Sequence, residues 1–167
     1  MSRMTMLKVG DKAPGFTLEG TDGKRYSLGK GAPGAVFLAF FKNNCPTCQL
    51  AFPFLQRLFE RVEGEPLGFW GISQDDPDAT KAFARQWGIH FPLLPDEPGY
   101  PVSNAFGLTN VPTLYLVEAD GRIAWSSMGF VKADLEALAA ELRRRLRVPG
   151  VTPLFVEADG VPELKPG

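Results

Sequence analysis

A three-layer α/β/α fold around a mixed central sheet follows from three features of this 167-residue sequence. Apolar runs of strand length alternate with segments whose apolar residues recur at helical spacing. Asp120-Gly121 stands between two late strand-like runs and makes their connection a hairpin, so the sheet cannot be wholly parallel. An amphipathic segment then closes the series.

In chain order, turn signals at Gly10-Asp11, Pro14-Gly15 and Asp22-Gly23 flank the short runs Phe16-Thr17-Leu18 and Tyr26-Ser27-Leu28, which predicts an N-terminal hairpin extension. Gly31 to Gly34 breaks the chain before Ala35 to Phe41, a continuous apolar run that reads as a central strand covered on both faces. Apolar residues at 51, 54, 55, 58, 59 and 62 mark one face of a helix over 46–62. Leu67 to Ser73 is the next strand. Asp76-Pro77 is an N-cap followed by proline at the first helical position, and Gly88 ends that helix. Phe91 to Leu94 is a short strand, Tyr100 to Gly107 a brief helix, Val111 to Val117 and Arg122 to Ser127 the two arms of the hairpin. The last helix covers 134–148, with Leu135, Leu138, Leu142 and Leu146 as its stripe and four arginines at the negative end of its dipole. The expected organisation is therefore one domain over residues 1–148 and a proline-rich tail over 149–167. The tail is expected to lie loosely on the surface or to add an edge strand near Leu154 to Val156.

Composition narrows the function. Eighteen Lys and Arg against 19 Asp and Glu leave a net charge of −1, without the basic field that phosphate contacts require, so nucleic acid is not an expected partner. The longest apolar stretch, Ala35 to Phe41, is far below the roughly 20 residues that cross a bilayer, so no membrane partner is expected. The first eight residues hold no apolar signal-peptide core, and a cytoplasmic location is the expectation, with an exported form as the alternative. A chain of this size buries roughly 70% of its unfolded surface and needs no disulfide or metal staple.

The two cysteines form Cys45-Pro46-Thr47-Cys48 where the central strand hands over to its helix. A cysteine at a helix N-terminus faces unpaired backbone N–H groups and the positive dipole end, which favour thiolate over thiol. Cys45 is thus the expected nucleophile. Cys48, one turn later and expected to be the more buried, is placed to resolve a mixed disulfide on Cys45, which makes the pair a two-electron switch. A purely structural disulfide across so short a loop would contribute only about 2 kcal/mol. A closed zinc site needs four ligands, and the chain offers two Cys and His90, so neither metal nor cofactor is expected. The redox reading prevails because C-x-x-C beside a strand-to-helix step is the context in which that motif is thioredoxin-like.

With these residues the chain resembles the thioredoxin fold, and within it the branch of TlpA-like thiol-disulfide oxidoreductases and alkyl hydroperoxide reductase/thiol-specific antioxidant proteins. The resemblance runs from Val9 to Val148 and rests on Val9 to Leu18, the Cys45-Cys48 motif, Pro53 in the active-site helix, Val111-Pro112-Thr113, and Val117 to Gly121. It implies that Pro112 is cis and faces Cys45, leaving the Val111 backbone free to pair with an extended substrate. On the residues alone, Pro112 reads as a trans proline opening an edge strand. Cys45, Cys48 and Pro112 are the implied catalytic residues, and Val111, Pro46 and Thr47 those that touch substrate. The implied partners are a disulfide-containing protein and a thiol electron donor.

The chain also departs from that pattern. Ala39 stands where thioredoxins carry a buried Asp, and Asn44 replaces the aromatic before the first cysteine. The proton of Cys48 must then leave through water or another carboxylate, with Asp75, Asp76, Asp96 and Glu97 as candidates by composition. Pro46-Thr47 between the cysteines implies a potential different from about −270 mV. The peroxiredoxin pattern P-x-x-x-(T/S)-x-x-C finds Phe41 and Cys45 in one register and Leu38 and Lys42 in the other, so neither fits. Thiol peroxidase remains the alternative enzyme and Cu(I) binding by the dithiol a minor one. His90 reads as a residue packed near a strand start.

Overall fold

The computed structural model describes residues 6–29, 34–149 and 153–167. The break expected at Gly31 to Gly34 lies largely outside them. A hairpin of β1 (Phe16–Glu19) and β2 (Arg25–Leu28) opens the chain, as its turn residues predict. Then come β3 (Val36–Phe41), α1 (Pro46–Val62), β4 (Gly68–Ser73), α2 (Pro77–Trp87), β5 (Leu93–Pro95), α3 (Pro101–Ala105), β6 (Thr113–Val117) and β7 (Ile123–Met128). The strands order as β5-β4-β3-β6-β7, with β3, β4 and β5 parallel and β6 antiparallel to both its neighbours. The mixed sheet and the thioredoxin-like α/β architecture are those that the sequence predicts.

Every residue of β3 is buried, because the strand is covered on both faces. Phe37, Ala39 and Phe41 join the core formed with α1, α2 and α4 (Lys132–Leu146). Val36, Leu38 and Phe40 join the other, formed with the hairpin and α3. Two-residue alternation thus distributes a single apolar run between two layers. Rings lock the first layer to the sheet: Phe41 lies 4.4 Å from Phe52 of α1 and 4.8 Å from Phe83 of α2.

Local chemistry sets the helix ends. Asp76 Oδ1 accepts from Ala79 N at 2.7 Å, Pro77 occupies the first turn, and Gly88 closes α2 in the left-handed region at φ 68°. Two boundaries differ from expectation. The sheet strand β6 begins at Thr113 rather than Val111, since Pro112 has no N–H to give the ladder. Helix α4 begins at Lys132, two residues early, directly after the two-residue strand β8 (Phe130–Val131). Among the described residues no helix is long and apolar enough to cross a membrane.

The tail corrects the sequence reading most. It is neither loose nor an edge strand at 154–156. Leu154 and Phe155 are buried in the α1/α4 core, the Phe155 ring packing tilted against Phe54 at 4.7 Å and lying 5.8 Å from Phe130. Asp159, at the end of a 3-10 turn over Glu157–Asp159, takes a bidentate pair of hydrogen bonds from Arg57 of α1. The strand of the tail is β9 (Leu164–Lys165), paired antiparallel with β8. Because Phe155 fills a closed apolar site, Phe155→Ala should cost about 3 kcal/mol in urea unfolding. A loss below about 1 kcal/mol would mean that the tail is not part of the core.

Candidate functional site

The loop Lys42–Asn44 carries the chain from the end of β3 to α1. Two side chains fix it: Asp75 Oδ2 accepts from Asn43 N at 2.6 Å, and Gln49 Nε2 donates to Asn43 O at 2.8 Å. Cys45 is the N-cap of α1, with extended backbone at φ −95° and ψ 112°, and Pro46 occupies the first turn. Its sulfur does what a Ser or Asp oxygen does at other caps, accepting the Cys48 N–H at 3.1 Å. No acidic residue stands in the first turn of α1 to neutralise the positive end of its dipole.

The two sulfurs have opposite environments. Cys45 is half-buried and its thiol points to Val111 O at 3.5 Å. Cys48 has no exposed surface and packs in the core cluster that holds Ala39 and Phe41. Burial pushes the Cys48 thiol far above the ordinary cysteine range. Its hydrogen bond with Cys45 adds to the shift, the Lys42 backbone opposes it, and the charge of Asp75 raises it slightly further. Cys48 therefore rests protonated at neutral pH, while Cys45 has a route to solvent.

The Val111–Pro112 peptide bond is cis, as the resemblance implies, and Pro112 is buried. Pro112 O accepts from Gly129 N at 2.8 Å, tying the loop to the end of β7. Cys45 and Val111 share a cleft of about 510 Å³ with Lys42, Asn44, Gln74, Leu108, Thr109, Asn110 and Gly167. Pro46 is exposed but does not line the cleft. Thr47 is buried, and its hydroxyl donates to Pro166 O at 2.7 Å.

Of the four candidate carboxylates, only Asp75 reaches this site. Asp76 caps α2, Asp96 is fully buried and accepts from Val102 N and Ser103 N at the start of α3, and Glu97 lies with Pro77 and Lys81 in a separate surface cleft. His90 is exposed before β5, its backbone N–H bonded to Gln56. The cleft residues 108–110 and 167 escaped the sequence reading because nothing in their local pattern announces proximity to residues 42–45. Asn43 and Gln49 likewise act through backbone bonds that no motif marks.

The AhpC/TSA family model matches residues 9–126, most of the chain. A thiol-disulfide oxidoreductase named ResA from Bacillus thuringiensis (strain Al Hakam) is 27% identical over 124 residues, covering 74% of this chain and 71% of the relative. ResA from Halalkalibacterium halodurans is 27% identical over 120 residues, covering 71% and 68%. Among solved structures, the thioredoxin domain of a thiol-disulfide oxidoreductase from Bacteroides vulgatus superposes with a TM-score of 0.70 at 19% identity, covering 84% of this chain and 99% of that one. A thiol:disulfide interchange protein from Chlorobium tepidum TLS gives 0.66 at 24%, covering 79% and 95%. With its five-stranded mixed sheet and a C-x-x-C at the first turn of the helix after the central strand, the chain belongs to the AhpC/TSA family within the thioredoxin-fold superfamily.

Proposed function

We propose that this chain is a thiol-disulfide oxidoreductase in which Cys45 and Cys48 exchange two electrons with protein disulfides. One observation carries the reading. A half-buried cysteine caps a helix with an N–H aimed at its sulfur, while its partner one turn later is buried and protonated. In the reductive direction the Cys45 thiolate attacks one sulfur of a partner disulfide, and the other sulfur leaves as a thiolate. Cys48, after giving up its proton, attacks Cys45 Sγ, and the second partner sulfur leaves. The partner gains two electrons and becomes a dithiol, and the pair becomes a disulfide.

Ala39 provides no internal base on the strand face that Cys48 packs against. Asp75 is the carboxylate whose charge reaches Cys48, where it adds a small upward push to the dominant effect of burial. A thiol electron donor resets the pair by the same chemistry run backwards. In a glutathione-buffered cytoplasm, the location we propose, the resting state is the dithiol and the protein acts as a reductase, whereas an exported form would oxidise or repair disulfides.

Peroxide reduction is the second reading, favoured by the family match. Stopped-flow Trp fluorescence of the reduced protein should separate the two. Rapid exchange with a protein disulfide, with peroxide no faster than it oxidises a free thiol, is the expected result. The opposite ranking would make the protein a peroxidase. Alkylation provides an independent check on the assignment of roles. At pH 7 iodoacetamide should modify Cys45 alone, and Cys48 in Cys45→Ser should become reactive only well above the ordinary thiol range of about 8.5. Modification of Cys48 first would reverse the roles.

A further inference from the structure

The cleft beside Cys45 contains part of this chain. From β9 onward, residues 164–167 run along α1 and the cis-proline loop. Phe130 pairs with Lys165 and Val131 with Leu164, and Lys132 N donates to Glu163 O at 3.0 Å. Thr47 Oγ1 then donates to Pro166 O, and Asn110 Nδ2 reaches Gly167 O at 3.5 Å. Gly167 lies so close over the Val111 carbonyl that a Cβ there would overlap Val111 O. Gly129 is equally tight from the other side: it sits at φ 75°, and a Cβ on it would stand 2.8 Å from Lys165 O and 3.2 Å from Gly167 N. Two glycines therefore let one backbone lie flush on another, beside the nucleophilic sulfur.

An extended partner chain aligned on Val111 and Pro112 would need the same ground. Main-chain pairing along a strand edge is how an extended segment is held without regard to its side chains, and here Leu164 and Lys165 pair with β8 while Gly167 lies directly against the Val111 carbonyl. Besides Gly167 the cleft is lined by Asn44, Leu108 and Thr109, and its volume of about 510 Å³ leaves room for a compact disulfide at Cys45.

We propose that residues 164–167 form a strap that sets the substrate class of the site: small disulfides react with the strap in place, and protein disulfides react only when it lifts. The proposal rests on the oxidoreductase reading above. The strap is held by one side-chain hydrogen bond from Thr47, a long one from Asn110 and a two-residue pairing, so it opens without disturbing Leu154, Phe155 and the Arg57–Asp159 clasp that anchor the tail upstream. The apparent rate toward a protein disulfide is then scaled by the fraction of molecules with the strap away.

Two experiments test this on the 167-residue chain. In Cys48→Ser the Cys45 thiolate is reacted with the thionitrobenzoate mixed disulfide of an eight-residue cysteine peptide or of cysteamine. Thionitrobenzoate leaves and a stable Cys45 mixed disulfide remains. Hydrogen exchange at residues 130–132 and 163–165 should rise in the peptide adduct and stay unchanged in the cysteamine adduct. Unchanged exchange in both would overturn the strap. Second, Lys165→Pro, which removes a backbone N–H from the pairing with β8, and a chain ending at Pro162 should each react with insulin about tenfold faster than the parent and with bis(2-hydroxyethyl) disulfide within about twofold of it. Equal gains on both substrates, or none on insulin, would overturn it; Lys165→Pro changes a single residue outside the cleft and guards against misfolding of the shortened form. If the parent attacks neither disulfide and forms no adduct, the oxidoreductase reading itself fails, an outcome distinct from failure of the strap.

Discussion

The hydrogen bond from Cys48 N–H to Cys45 Sγ is the constraint around which the site is built. The first turn of any helix leaves N–H groups without helical partners, and most helices answer with an oxygen from Ser, Thr, Asp or Asn. Here the acceptor is a reactive sulfur, so the start of the helix and the state of the nucleophile are one structural fact. The surrounding residues hold that arrangement in place. Asp75 and Gln49 fix both backbone polar groups of Asn43, Pro46 presets the first turn, and Val111 O accepts from the sulfur.

Rigidity beneath this cap comes from β3. A strand with no exposed residue has no solvent face along which to slip, and its register against β4 and β6 is over-determined by side chains on both layers. The same burial explains the asymmetry of the thiols. Cys48 sits on the face of α1 that packs on the sheet, among Ala39 and a cluster of phenylalanines, where a charge is poorly solvated. Cys45 sits one turn earlier, where the helix begins just beyond the C-terminal end of the central strand. Nothing beyond the helical turn and the direction of the core is needed to make one sulfur available and the other reserved.

Much of this was legible from residue order. The alternating runs, Asp76-Pro77, Gly88 and Asp120-Gly121 each act through local chemistry, and the structure uses them as that chemistry predicts. Local pattern could not reveal what depends on distant partners. Val-Glu-Ala-Asp-Gly occurs twice: at 117–121 it leaves β6 and enters a hairpin turn, and at 156–160 it forms a 3-10 turn. In the first copy Asp120 Oδ1 accepts from Arg122 N, whereas in the second Asp159 accepts from Arg57, 102 residues away. Identical pentapeptides thus differ because of what they dock against. Two-residue strands such as β8 and β9 are too short for any periodicity to register, and Thr47, read as a substrate contact, is instead turned toward Pro166.

The seating of Leu154 and Phe155 on α1 has a consequence for how the molecule opens. All strands of the central sheet, and the α-helices that flank it, lie before residue 149, so the tail adds no strand or α-helix to that framework. What it adds is a cover: Phe155 closes over the rings of Phe54 and Phe130, and Arg57 reaches both Leu154 O and Asp159 across about a hundred residues of sequence. Detachment of the tail would therefore bare Phe54 and Phe130 while every ladder of the central sheet stays paired, which makes the tail's seat a unit that can open on its own.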